Sequence, residues 1–432
     1  MKRKLLIIYF VVIMIGSLTS CKASQQPQEE KISEEENSED KDIKLVLTYA
    51  SGDASWNKVV DLVTRRFMEQ YPNIMIELSS GTASSGAYID FLKNKDAVGE
   101  LGDILDIRNM ELLAESGRLA ALPEDLASLV NNSFQLDGKT YAVTATCLTQ
   151  GIIYNKKVFE LLNLQEPKTY EEFLNICSVL KKYRMIPIVV GGKDLWHMGF
   201  WVNHFFRADV LYHNSDWQLE RSNGTVSWSD NEPRQMLSHL KYLFEKGYVV
   251  EDYQKISDSS TASYIANSKA AMLYSGPWMF SKITELNPKI DLGWFYVPDD
   301  EGKYIAFNDV NSGWAITSDC AKDQKKYDAA VQFLKFFYSE DIYSQVCSIM
   351  NAMPVTNIDI KYESEVQDKV LQDFRKKAIL TSDQIGSYDT PENFQNYLFM
   401  YVNDYIEGKY TLDEITGILD DTWDNCNNKP KD

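Results

Sequence analysis

The stretch Ala270 to Phe280, A-A-M-L-Y-S-G-P-W-M-F, constrains the fold more than any other. Ala270 to Tyr274 is apolar and of strand length, and Ser275-Gly276-Pro277 ends it. Pro277 has no N–H to give and a fixed φ, which suits the first turn of a helix. The segment therefore predicts strand, tight turn and helix start, with Trp278 at the junction. A strand apolar throughout belongs inside a sheet covered on both faces, so an α/β architecture follows. Ligands of open α/β sheets bind at the carboxyl ends of strands, where a flat indole can stack on a ligand face. The alternative for Trp278 is a core plug between helix and sheet.

The rest of the chain repeats this grammar. Ile43 to Tyr49 reads as a strand, and Val59, Val60, Val63 and Phe67 fall at helical spacing behind Ser55. Ile74 to Leu78 is the next strand, completing a β-α-β unit of a parallel sheet. Ser79 to Gly86 reads as a loop and lacks the Lys-Ser/Thr ending of a phosphate loop. Gly102 to Ile107 is a short buried strand containing Asp106, and Glu111 to Gly117 is a helix with a glycine stop. Lys139 to Thr146 and Gly151 to Lys156 are β-rich, with a seam of small residues between them. Thr169-Tyr170-Glu171-Glu172 is a capping box ahead of Phe173, Ile176 and Leu180, and Thr411 to Glu414 is another ahead of Ile415, Ile418, Leu419 and Trp423. At 432 residues the chain exceeds one hydrophobic core, so two lobes are expected.

The first 42 residues read differently. Met1-Lys2-Arg3-Lys4 is a positive start, and Leu5 to Ile15 is apolar but short for a bilayer span. Leu18-Thr19-Ser20-Cys21 resembles the bacterial lipobox, which implies lipidation of Cys21 and an extracytoplasmic protein held at the outer face of the cytoplasmic membrane by that anchor alone. Glu29 to Asp42 holds eight acids against two lysines and a single apolar residue, Ile32. Such a segment cannot bury enough area to fold and reads as a disordered tether.

Composition excludes some partners. The formal net charge of −19 argues against nucleic acid, which needs clustered Lys and Arg. Aromatics stand at 12 %, with 25 Tyr and 9 Trp, a surplus that fits either a binding surface or a core. Cys147, Cys177, Cys320, Cys347 and Cys426 remain beyond the lipobox, with no C-x-x-C, and read as small buried residues, a single disulfide remaining open. His197 and His204 are seven apart but lack further ligands nearby, so no metal site is expected. No H-E-x-x-H or G-x-S-x-G occurs, and no cofactor is expected.

The run Tyr141-Ala142-Val143, Ile153-Tyr154-Asn155-Lys156, Thr169 to Phe173 and Ile186-Pro187-Ile188 resembles the family 1 extracellular solute-binding proteins. Gly102-Asp103-Ile104-Leu105, Ala270-Ala271-Met272, Gly276-Pro277-Trp278, Gly313-Trp314-Ala315-Ile316, Ala329 to Phe336 and Met353-Pro354-Val355 match further blocks in order. That family serves ATP-binding-cassette importers, mostly for sugars, and maltose-binding protein is a relative. The resemblance implies a two-lobe periplasmic-binding-protein-like fold of type II, α/β, with a ligand cleft between lobes. It implies chain crossings near Thr144–Gln150, Phe307–Ser312 and Met350–Pro354. The division expected is 1–20 signal peptide, 21–42 tether, 43–147 plus 309–350 lobe 1, and 148–308 plus 351–432 lobe 2.

A sugar needs polar groups for its hydroxyls and aromatic plates for its apolar faces. Trp278, Trp196, Trp201 and Trp56 are the candidate plates, with Asp106 and Asn311 as candidate hydrogen-bonding residues. Trp201 has core as its rival reading, and Trp314 reads as core. The expected protein is a monomeric binding subunit, not an enzyme, whose partners are a sugar or oligosaccharide and the transmembrane subunits of an importer. Two rivals remain: a binding protein that feeds a sensor, and an extracellular polysaccharide-active enzyme.

Overall fold

In the computed structural model the described residues are 43–427, apart from 52–53, 83–84, 109, 132, 309–311, 363, 382 and 388. The segments expected to be signal peptide and tether, Cys21 and Asn311 lie outside them. Asp42–Asp432 is a compact unit.

The strands, in chain order, are β1 (Ile43–Ser51), β2 (Ile74–Thr82), β3 (Ile104–Arg108), β4 (Ser133–Leu136), β5 (Lys139–Thr144) and β6 (Gly151–Asn155), followed by β7 (Ile186–Val189), β8 (Ala270–Ser275), β9 (Leu292–Phe295), β10 (Tyr304–Phe307), β11 (Ser312–Ile316) and β12 (Ala378–Thr381). One sheet has the order β2-β1-β3-β11-β5-β4 and a second the order β7-β8-β6-β9, while β10 and β12 form a parallel pair. β1 runs parallel to β2 and β3, and β11 inserts antiparallel between β3 and β5. β7 and β8 are parallel, and β6 is antiparallel to β8 and β9. These are two α/β lobes, each built on its own sheet.

The inner strands of both sheets are buried on two faces, which explains their apolar runs. Leu45, Leu47, Ile104 and Trp314 face the helices Ala54–Gln70 and Gln324–Phe337, in a core that continues to Ile153, Leu273 and Trp294 of the second sheet. Successive side chains of a strand point to opposite faces, so Ala50, Leu105, Ile107 and Ala315 fall into a smaller core around Tyr88 and Leu92. Ile152, Tyr154, Met272 and Tyr274 face a third core, packed by the helices Tyr170–Lys182, Leu195–Phe205, Asn231–Glu245, Phe394–Ile406 and Leu412–Asn427. The last helix starts with the expected capping box: Glu414 N donates to Thr411 Oγ1 at 3.2 Å and Thr411 N to Glu414 Oε2 at 2.8 Å.

The region read as a loop from Ser79 differs. β2 continues to Thr82 because β1 continues beside it, with Ala50 paired to Gly81 and Ser51 to Thr82. A neighbouring ladder outweighs the weak strand propensity of Ser and Gly. All five described cysteines are buried and none is in a disulfide.

The chain passes between the sheets at 145–150, β10 ends at Phe307 and β11 begins at Ser312, and the segment after the helix Glu340–Met350 returns beside 145–150. Cys147 and Met353 bond each other reciprocally, Cys147 N to Met353 O at 3.0 Å and Met353 N to Cys147 O at 2.7 Å. The Cys147 thiol also donates to Asn308 Oδ1, at the start of 308–311. Tyr343 clamps the same place: its hydroxyl donates to Ala145 O at 3.0 Å and accepts from Val355 N at 3.1 Å.

Candidate functional site

β7 and β8 are parallel neighbours, so their carboxyl ends lie together. Each is followed by a turn and a helix: Leu195–Phe205 after β7, Trp278–Leu286 after β8. The two helix starts therefore meet at one end of the sheet. Trp278 begins its helix directly after Pro277 and is half-buried. Its ring lies across Gly276, where an added Cβ would come within 1.8 Å of it, so only glycine leaves room for that placement.

Trp278 meets Phe200 edge-on at 6.1 Å between ring centroids, and Phe200 meets Trp196 edge-on at 5.4 Å. Phe200 stands four residues after Trp196, so both share a helix face. Trp196 is 51 % exposed. The result is a row of three aromatic rings, running from the half-buried Trp278 to the open Trp196. Phe200 was missed in the sequence, although its spacing from Trp196 was the available signal.

The row is braced from behind. His197, fully buried, bonds Asp258 through Nδ1 at 2.9 Å, and Lys282 Nζ lies 3.7 Å from the other oxygen of Asp258. These residues tie the helices Leu195–Phe205, Asp258–Ala266 and Trp278–Leu286 to one another. Beside them, Ser275 Oγ and Gln150 Oε1 are buried without a hydrogen-bond partner among the described residues. The pairing of Gly151 with Ser275 brings Gln150 to the same strand end.

The other candidates fall elsewhere. Trp201 is corrected to a core residue: it is 1 % exposed, its ring 4.7 Å from Tyr274 and stacked at 5.9 Å on Phe205. Five residues after Trp196 on the same helix, it points to the opposite side. Asp106 and Trp56 belong to the first sheet and its helix. Asp106 is 2 % exposed, and Oδ2 accepts from Trp56 Nε1 at 2.9 Å and Ala50 N at 3.2 Å. Trp56 is 7 % exposed and stacks on Trp314 at 5.4 Å. In this structure their groups bind each other and the backbone of their own lobe. Trp314 is core, as expected.

A cavity of about 550 Å³ lies off this row, lined by Phe280, Thr284, Leu292, Tyr362 and Glu365 among others. None of its lining side chains is among the buried polar groups that lack a partner. The aromatic row, with Gln150 and Ser275, is therefore the better candidate. Among the described residues no cluster of three or more His, Cys, Asp or Glu suits a metal ion, and no helix is long and apolar enough to cross a membrane.

Comparison with known proteins agrees with this architecture. The chain is 24 % identical over 311 residues to a multiple sugar-binding protein of Streptococcus mutans, covering 69 % of this chain and 72 % of that one. It is 22 % identical over 373 residues to the diacetylchitobiose binding protein DasA of Streptomyces coelicolor, covering 83 % and 78 %. Among solved structures, a chitin oligosaccharide binding protein superposes with a TM-score of 0.73 at 20 % identity, over 90 % of this chain and 99 % of that one. The pattern of the bacterial extracellular solute-binding proteins matches residues 48–343, and the chain belongs to that family.

Proposed function

We propose that this protein is the sugar-capturing subunit of an ATP-binding-cassette importer, lipid-anchored through Cys21 outside the cytoplasm and delivering an oligosaccharide to the transmembrane subunits. The observation that carries the reading is the row Trp196–Phe200–Trp278 at the carboxyl ends of β7 and β8. Edge-to-face rings along an open helix start offer apolar contact to successive sugar faces, and Gln150 and Ser275 offer buried polar groups for hydroxyls. The two relatives named above are sugar-binding proteins, which supports the same ligand class. The lobe division expected from the sequence, with the three crossings as the hinge, accounts for capture by closure of one lobe on the other. Binding and release need no covalent step, so the protein acts as a monomeric receptor rather than an enzyme. Asn311, outside the described residues, keeps its expected role at the cleft edge as part of this proposal.

A thermal-shift series against mono-, di- and oligosaccharides tests the reading. A ligand at 100 times its dissociation constant stabilises the native state by about 2.7 kcal/mol. We expect a clear upward shift with at least one oligosaccharide, left chemically intact, and a weakening of about tenfold or more in Trp278→Ala. Cleavage of the sugar in the same samples, or no shift with any sugar from folded protein, would sink it.

A further inference from the structure

The helix Leu195–Phe205 does not end at Phe205 but continues as a π-helical turn, Phe206–Leu211. Such turns insert an extra residue into the helix and recur at functional sites. This one carries Arg207, which is wholly buried. A buried guanidinium ordinarily has a carboxylate partner, because an unpaired charge inside a protein is strongly unfavourable. Arg207 makes no salt bridge among the described residues. Asp209, two residues on, is held by His239 Nδ1 at 3.0 Å. Asp383 accepts from Gln218 Nε2 at 2.9 Å and from the Ser387 hydroxyl.

The groups in contact with the guanidinium are neutral, and the Asp383 carboxylate attracts it from further off without forming a salt bridge. Nη1 donates to Gln384 Oε1 at 3.1 Å, and the Phe307 ring centroid is 4.7 Å from Cζ. The Tyr274 hydroxyl lies close enough to interact with the guanidinium as a hydrogen-bonding neighbour. His204 is kept neutral by burial first and by the Arg207 charge next. Nε and Nη2 have no acceptor. Those two nitrogens form one edge of the guanidinium, the edge whose parallel N–H bonds match the two oxygens of a carboxylate.

The place matters as much as the charge. Tyr274 is the last residue but one of β8, four residues before Trp278. Phe307 is the last residue of β10, just before the chain crosses to the other lobe, and Gln384 sits in the connection after β12. Arg207 thus lies toward the carboxyl end of the second sheet, between Tyr274 of β8 and the residues Phe307 and Gln384.

We propose that Arg207 receives a carboxylate of the captured sugar, so that the preferred ligand is an acidic oligosaccharide containing a uronic acid. This rests on the sugar-binding reading and narrows its ligand class. The net charge of −19 opposes an acidic ligand at long range. Surface charges are screened beyond about 8 Å at physiological ionic strength, whereas a buried charge at contact is not.

The test compares trigalacturonate with its neutral counterpart, galactotriose, by calorimetry on the full-length protein at pH 7, with acetate and inorganic phosphate as free-anion probes. The expected result is preference for trigalacturonate by about tenfold or more, because hydrogen bonds between charged partners are stronger than those between neutral ones. Arg207→Met should abolish the preference while changing galactotriose binding little. Acetate or phosphate binding as tightly as trigalacturonate would overturn the sugar acid as the source of the charge. Equal wild-type affinity for both sugars, or equal loss of both in Arg207→Met, would overturn the proposal. The wild-type comparison decides even where the variant fails to fold. Binding of galactotriose alone would remove the acidic ligand and leave the sugar receptor standing, whereas no binding of any oligosaccharide would remove the receptor reading itself.

Discussion

His204 shows what burial does to a single titratable position. Seven residues after His197, it invited a question about metal binding; instead it is buried beside Tyr274 and Arg207. Burial, then the Arg207 charge, then His239 push its imidazole down to about 3. The folded value lies below the unfolded value of about 6.5, so the unfolded chain takes up the proton first as pH falls. Stability from this group is present above pH 6.5 and is lost between 6.5 and 3. Between pH 7 and pH 5 the loss is about 2 kcal/mol for a single group of this kind. Urea midpoints at the two pH values read it, and His204→Gln should show a smaller fall over that interval than the wild type.

At the scale of elements, the helix Leu195–Phe205 does two jobs. One side carries Trp196 and Phe200 of the aromatic row, and the other lies against the helix Phe394–Ile406. Their closest approach is at Gly199, where an added Cβ would stand 2.4 Å from the Phe399 ring. Gly199→Val should force the two helices apart and destabilise the protein by about 1–3 kcal/mol, the range for overpacking a core contact. A urea titration checks it, and an unchanged midpoint would mean that Phe399 simply turns aside. Elements with a strong local signal were legible before folding was considered: both capping boxes, the glycine stop near 117 and the proline start at 277. The π turn at Phe206–Leu211 and the β10–β12 pair were not. The second depends on a partner strand more than seventy residues away in sequence.

For the whole molecule, the proposed closure of the lobes turns on the crossings. Cys147, Met353 and Asn308 come from three separate parts of the chain and are joined by hydrogen bonds, with the Tyr343 hydroxyl across two of the strands. A closed-on-ligand receptor requires that this junction bend while staying joined. Small-angle scattering with a saturating oligosaccharide should give a smaller radius of gyration than without it. Met353→Pro, which removes the N–H that bonds Cys147 O, should lower stability by roughly 1–3 kcal/mol and blunt that compaction. Compaction of undiminished size in a folded Met353→Pro protein would show that the junction is not the pivot.

The alternation of strand and helix, the apolar strands that demand two covered faces, the turn that ends β8 and the blocks shared with the solute-binding family were all present in the order of residues. They are local patterns, set by side-chain period, backbone freedom and missing N–H groups, and they survive any packing. Which tryptophan is exposed was not among them. Trp196 and Trp201 sit on one helix and read alike in the sequence, yet one is 51 % exposed and the other 1 %. Asp106, a plausible hydroxyl binder on paper, is occupied by Trp56 from another element. Arg207, unremarked in the sequence, is buried with one edge unpaired. Exposure and partnership belong to the assembled molecule, because they depend on which faces of distant elements meet, and only the tertiary structure decides that.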